Sequence, residues 1–363
     1  MAVGFFACPK APPKVVEPPK VLEPAEAVRE TMEKAYRAVE AGDGDQLEAL
    51  FADDALVFGL GPSDTWLGGM VVGERSRQAL LPLGLGGDSL KIEDSRLVVG
   101  LASGETAAWV FDLPRVVTTH KGKTERWLPR LTAHLTRDGA RWRIDALHVS
   151  LPVPDQLVFA PDAQKRLIAP ADVTNERSPD ADQLVGLVRR ALDDYGVKIE
   201  RTSERPEFVQ LGTSATEIFI DGKVFKELIK PQLGAIKKAG YSWKLDGNLR
   251  VKLAPGGKSG WAAAIVVQRV GSGRKAQVFP AFRFLWTLVE EDGVWNISSE
   301  HQSLAVKEEL RDPATDEQLK TWKDVRELAE KTMAKSKPTK PPAKPEKAPE
   351  AREPEKKPDI GVW

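Results

Sequence analysis

Cysteine is nearly missing from this chain of 363 residues, with Cys8 the one example. A single thiol excludes an internal disulfide and any multi-cysteine zinc site. No group of His, Asp and Glu has metal-ligand spacing, so neither a metal nor a cofactor is expected. An excess of one charge is missing too, because 53 basic residues balance 53 acidic ones. A neutral chain has no global drive toward nucleic acid or an anionic membrane. No apolar run approaches the ~18–20 residues that cross a bilayer. The motifs of several enzyme classes are absent as well. There is no Gly-x-Ser-x-Gly elbow. Leu83-Gly84-Leu85-Gly86-Gly87-Asp88 lacks the Lys-Ser/Thr that completes a phosphate cradle. Gly257-Lys258-Ser259 imitates the end of such a cradle, but Lys252 stands where its first glycine belongs, so Pro255–Gly260 reads as a turn.

What the chain does contain, it contains twice. Trp142-Arg143-Ile144-Asp145-Ala146-Leu147-His148-Val149-Ser150-Leu151 returns 153 residues later as Trp295-Asn296-Ile297-Ser298-Ser299-Glu300-His301-Gln302-Ser303-Leu304. An Asp-Gly turn precedes each copy, at Asp138-Gly139 and Asp292-Gly293. Upstream, Leu60-Gly61-Pro62-Ser63 answers Leu211-Gly212-Thr213-Ser214. Solenoid repeats are only about 20–50 residues long, so this period means a duplicated domain.

Patterning places elements within each copy. Val28, Met32, Tyr36 and Val39 make one face of a helix over 25–40, and Ala41-Gly42-Asp43-Gly44 breaks it. Asp45 then suits the N-cap of a short helix through Phe51. Period-two strands follow at 55–58, 90–99, 106–112, 127–136 and 142–150, with a helix near 76–81. The second copy opens on an amphipathic helix over 181–195, striped by Leu184, Leu187, Val188, Leu192 and Tyr195. Its strands are expected at 208–211, 217–220, 249–253, 262–269, 278–289 and 295–303, with helices over 225–238 and 316–331. The implied class is α+β.

The flanks differ from both copies. Cys8 to Pro24 carries six prolines and reads as an extended tether. Phe5-Phe6-Ala7-Cys8 before that tether matches the end of a bacterial lipoprotein signal, which would make Cys8 a lipidation site if the true start lies upstream. The other reading is an arbitrary N-terminus with a free thiol. Localisation is accordingly cytoplasmic as written, or membrane-anchored in the lipoprotein case. Residues 335–363 are a Lys/Pro/Glu tail, too poor in apolar residues to hold fixed structure.

The closing segment Trp142 to Pro154, after Arg130-Leu131-Thr132, resembles that of SnoaL-like domains of the nuclear transport factor 2-like superfamily. So does the opening, with Ala38, Gly42-Asp43 and Leu50-Phe51-Ala52-Asp53-Asp54-Ala55. The resemblance covers 25–160 well and 181–310 more weakly, where Arg283 matches Arg130 but the opening signature is degraded. It implies two tandem cone-shaped domains, each a curved antiparallel sheet wrapped around about three helices and enclosing a pocket. The expected divisions are tether 1–24, first domain 25–158, linker 159–180, second domain 181–310, a C-terminal helix in 311–334 and the tail. On function the resemblance is nearly silent, because members include isomerases, cyclases, dehydratases and non-catalytic binding modules.

Alternation sorts the closing strands. Trp142, Ile144, Ala146, His148 and Ser150 share one face, as do Trp295, Ile297, Ser299, His301 and Ser303. The Trp and Ile mark that face as the one toward the helices, so His148 and His301 are expected in or near the cavities. Pocket-lining candidates are therefore Tyr36, Trp66, Trp109, Arg130, Thr132, Trp142, His148 and Ser150, with Arg283, Trp295, His301 and Ser303 in the second copy. Catalytic candidates are His148 as base, with Asp54 or Asp112 as second acid or base and Arg130 steadying negative charge. The competing reading makes His148 a structural hydrogen-bonding residue, and its recurrence as His301 in a diverged copy favours that reading. The sequence thus points to a non-catalytic binding or scaffolding protein, its two domains paired within one monomer, sheet against sheet. The expected partner is a small apolar ligand or a protein. The alternative is an isomerase, cyclase or dehydratase using the first cavity.

Overall fold

The computed structural model describes residues 22–84, 88–153, 172–173, 178, 180–193, 199, 201–271, 273, 276–307 and 311–335. Cys8, the proline-rich tether as far as Val21, the lysine-rich tail beyond Lys335 and Tyr195 lie outside them. Pro24, expected in the tether, instead opens the first helix.

Helix α1 (Pro24–Ala41) starts on a proline, whose missing N–H has no partner to lose there, and ends at Gly42, whose φ of 68° suits a residue without Cβ. Val28, Met32, Ala35 and Ala38 are its buried stripe. The next helix, α2 (Gly44–Leu50), is capped by Asp43 rather than Asp45, since the Asp43 carboxylate accepts the Gln46 N–H. Asp45 pairs with Arg77 instead. The chain then runs straight into β1 (Phe51–Phe58), followed by β2 (Thr65–Leu67) and α3 (Gly69–Gly84), a helix longer than its sequence signal.

Strands β3 (Ser89–Glu93), β4 (Val98–Leu101), β5 (Ala107–Asp112), β6 (Arg115–His120), β7 (Lys123–Trp127), β8 (Arg130–Asp138) and β9 (Arg141–Ser150) complete the first half. The β6–β7 hairpin has no counterpart in the strand pattern expected from sequence. Its turn, Lys121-Gly122, has positive φ at both residues (48° and 80°), which matches the twist of the strands it joins. The second half contains α4 (Asp182–Asp193), β10 (Val209–Leu211), β11 (Ile218–Ile220), α5 (Gly222–Ile229), a 3₁₀ turn over Lys230–Gln232, and α6 (Leu233–Ala239). Four long strands follow: β12 (Ser242–Leu253), β13 (Ser259–Val270), β14 (Gln277–Glu291) and β15 (Val294–Leu304). Helix α7 (Asp316–Lys335) comes last and packs on β11.

Two six-stranded sheets result, ordered β2-β1-β9-β8-β5-β4 and β11-β10-β15-β14-β13-β12. Position by position the two orders correspond. His148 on β9 faces Phe58 on β1, and His301 on β15 faces Leu211 on β10. All neighbours are antiparallel except β1–β9 and β10–β15, which are parallel. A small third sheet, β3-β6-β7, belongs to the first half. Each large sheet packs helices on one face, α1 in the first half and α4 in the second. The other faces meet each other, burying Leu56, Phe58 and Ala146 against Trp261, Ala263 and Leu285.

Candidate functional site

Alternation along β9 breaks at one residue. Its register with β8 slips between the pairs His134↔Ala146 and Leu135↔Ile144, leaving Asp145 as an extra residue, a β-bulge. Past the bulge the faces exchange. Trp142 and Ile144 join the helix-side core, whereas Ala146 lies in the seam between the halves. The second half repeats this 153 positions on, where Leu288↔Ile297 and Thr287↔Ser299 leave Ser298 extra. The expectation that His148, Ser150, His301 and Ser303 line the cavities is therefore corrected, because the bulges turn all four into the seam.

There they meet reciprocally. His148 Nε2 lies 2.7 Å from Ser303 Oγ, and His301 Nε2 lies 2.8 Å from Ser150 Oγ. The two imidazoles stack with centroids 3.8 Å apart, and Thr132 Oγ1 lies 3.0 Å from His301 Nδ1. The arginines also cross over. Arg130 donates to the carbonyls of Ser214 (3.0 Å) and Thr213 (3.3 Å), and Arg283 to that of Gly59 (2.6 Å) and those of Gly61 and Pro62. Each arginine thus holds the repeated loop of the other half, a self-complementary contact of the kind a two-fold dimer makes. Burial lowers both guanidinium pKa values to about 10, and the loop carboxylates oppose this, Glu217 at Arg130 and Asp64 at Arg283. Burial also pushes both histidines well below their ordinary range. Arg283 and Arg130 add to this at His148, and His148 and Arg130 at His301. Two neutral rings can stack face to face, which two imidazolium rings would resist.

A second group in the seam has the layout of a hydrolase triad. His134 Nδ1 sits 2.7 Å from Asp145 Oδ1, and its Nε2 sits 3.0 Å from Ser259 Oγ. His134 and Asp145 are fully buried, Ser259 is 2% exposed, and none of the three lines either cone cavity. Ser259 belongs to the second half and also reaches the Leu288 carbonyl. A substrate has no path to this hydroxyl, so the arrangement ties strands together.

The first cone cavity, about 480 Å³, lies between α1, the concave face of the first large sheet and the third sheet. Met32, Tyr36, Phe51, Ile144, Leu147 and Val149 are on its walls, and no His, Asp or Glu is among the described lining residues. Tyr36 is the one expected lining residue found there. Its hydroxyl donates to Asp112 Oδ2 at 2.9 Å, and burial, followed by the Asp112 charge, raises its pKa well above the usual value. Asp112 also accepts from Ser95 Oγ and from the N–H groups of Arg96 and Leu113, so its acceptor positions are filled. Asp54 is exposed and pairs with Lys252 at 2.6 Å, outside the cavity.

The candidate tryptophans Trp66, Trp109, Trp142 and Trp295 also lie outside both cavities. Trp66 and Trp142 pack into the first core, and Trp295 packs against the second. Trp109 is buried beside Val289 and Ala254 of the other half and donates to the Glu207 carbonyl. Thr132, Arg130 and Arg283 are seam residues, as described. A second cavity of about 590 Å³ lies between the sheet and helices of the second half, and its buried Glu300 was absent from the sequence candidates. Comparing aligned repeat positions would have found it, because Glu300 stands opposite Leu147. Among the described residues there is no group of three or more potential metal ligands, and no helix is long and apolar enough to cross a membrane.

Residues 28–154 match the family model of the SnoaL-like domain. No curated protein matches the chain. Similar solved structures include an NTF2-like protein with a cystatin-like fold from Novosphingobium aromaticivorans (18% identity, 39% of this chain and 86% of that one, TM-score 0.31). Another is an NTF2-like protein of unknown function from Pseudomonas putida (20% identity, 36% and 87%, TM-score 0.30). A third is a dehydratase candidate of the NTF2-like family from Streptomyces avermitilis (15% identity, 36% and 96%, TM-score 0.29).

Proposed function

With residues 28–154 a SnoaL-like domain, we propose that the chain is a non-catalytic binding protein built from two tandem SnoaL-like domains. In this reading 181–310 is a diverged second copy that covers the sheet of the first, as a second subunit would. The first cavity holds a small apolar ligand.

One observation carries the reading. The residues suited to acid–base or oxyanion chemistry, His148, Arg130 and Ser150, are taken up by contacts between the halves. The first cavity is left with mainly apolar walls, a tyrosine already bonded to a saturated carboxylate, Thr118, and Arg311, whose Nε is bonded to the Val306 carbonyl. Its volume lies within the range of about 300–1,000 Å³ usual for small-molecule sites.

A thermal-shift screen of apolar compounds such as decanol and naphthalene tests the proposal. A ligand that binds only the folded state should raise Tm, and Val116→Trp, which narrows the cavity from the third sheet, should cancel the rise. Turnover of any bound compound, lost in Tyr36→Phe and Asp112→Asn with folding intact, would replace binding with the isomerase, cyclase or dehydratase alternative.

A further inference from the structure

The two cone cavities share one backbone plan and differ in the chemistry of their floors. In the first half, Val57 pairs with Leu147, and Val149 follows two residues along the strand. At the same places in the second half, Gln210 pairs with Glu300, and Gln302 follows. The fold does not need polar groups there, since leucine and valine serve the first half. Burying a carboxyl is costly unless it is paired and hydrogen-bonded, so this floor needs a reason other than packing.

Its construction indicates what it receives. Glu300 Oε1 accepts from Gln210 Nε2 (2.9 Å) and Gln302 Nε2 (2.5 Å), and Oε2 accepts from Trp286 Nε1 (2.9 Å). The carboxyl and both carboxamides are more than nine-tenths buried, and all three line the cavity. Burial raises the Glu300 pKa and the three donors oppose this. As a carboxylate with about four acceptor positions, it keeps one on Oε2 open to a donor. Three aromatic rings line the same cavity, with Phe225 centred 5.2 Å from Phe208 and 5.5 Å from Phe219. Ile229, Ile236 and Ile297 complete the apolar wall. A buried carboxylate in a cavity with aromatic walls is a combination suited to an organic ammonium ion. Arg190, Arg201 and Glu217 also line it, all exposed, and the two cations against one carboxylate leave a net positive charge that selects against a second positive charge.

We infer that the second cavity binds an organic monoamine carried on an aromatic or branched apolar body, with Glu300 as its counter-ion. Calorimetry on the whole protein tests this with 2-phenylethylamine, neutral 2-phenylethanol and anionic phenylacetate. The amine should bind at least about tenfold more tightly than phenylacetate, a difference that wild-type protein reports without any variant. Glu300→Gln should weaken the amine by about tenfold and leave the alcohol unchanged. Ile229→Trp, at the cavity wall and away from the polar network, should abolish binding of both. If Glu300→Gln does not fold, the wild-type preference and Ile229→Trp still decide. Equal or tighter phenylacetate binding, an amine indifferent to Glu300→Gln, or no binding of any probe would overturn the inference. Val116→Trp, which blocks only the first cavity, should leave the amine untouched, so the two cavities succeed or fail separately.

Discussion

His148 and His301 do their work as neutral rings. Replacing His148 with alanine removes the stack and leaves Ser303 Oγ without its partner in a buried seam. The expected cost is about 1–3 kcal/mol, read as a lower Tm with the fold retained. The same residues set a pH dependence. Each ring titrates near 6.5 in the unfolded chain and well below that when folded. As pH falls through this window the unfolded chain therefore takes up more protons. Stability contributed by these rings is complete above about pH 6.5 and declines below it, by at most about 2.7 kcal/mol per pH unit for the two together. Urea titrations at stepwise lower pH should show this slope, and the His148→Ala, His301→Ala double variant should lose it. Arg283 supplies a third residue-scale prediction. Arg283→Lys should be destabilising although charge is conserved, because one ammonium cannot reproduce a planar fork reaching the Gly59, Gly61 and Pro62 carbonyls.

Among elements, the closing strands matter most. Their amphipathic alternation is readable from sequence, and so is their repeat at 153 residues. The bulges at Asp145 and Ser298 are not readable that way, because a bulge residue leaves no mark in a period-two pattern. An unbroken count from Trp142 puts His148 on the helix side, and one extra residue sends it to the other face. Asp145 is held there by His134, so Asp145→Ala should cost about 2–3 kcal/mol through the lost charge-assisted bond. Chemical denaturation checks that figure. The β6–β7 hairpin illustrates a different gap. Val116-Val117-Thr118-Thr119, ahead of Lys121-Gly122, carries strand propensity, but its half-buried residues lack the clean alternation of a core strand.

For the molecule as a whole, the seam joins the halves into one unit. Its apolar residues come from both sheets, and its polar residues bond across it in pairs. Calorimetric melting should show a single transition, since neither half can open its seam face without orphaning the buried arginine of the other. Two resolved transitions would mean that the halves are stable alone.

The amino-acid sequence by itself determined the repeat of the closing strands, the α+β class, the first and fourth helices with their buried stripes, and the likeness of the first half to SnoaL-like domains. Those properties are written in spacing and alternation, which are local and additive along the chain. The tertiary structure alone decided which side of each closing strand faces a cavity, that both arginines reach into the opposite half, and that Leu147 and Glu300, aligned by the repeat, both face cavities while the histidines next to them do not. These depend on the partner across a strand pair or across the seam. One bulge residue reverses every facing beyond it, and no pattern within a single strand records which neighbour it will meet.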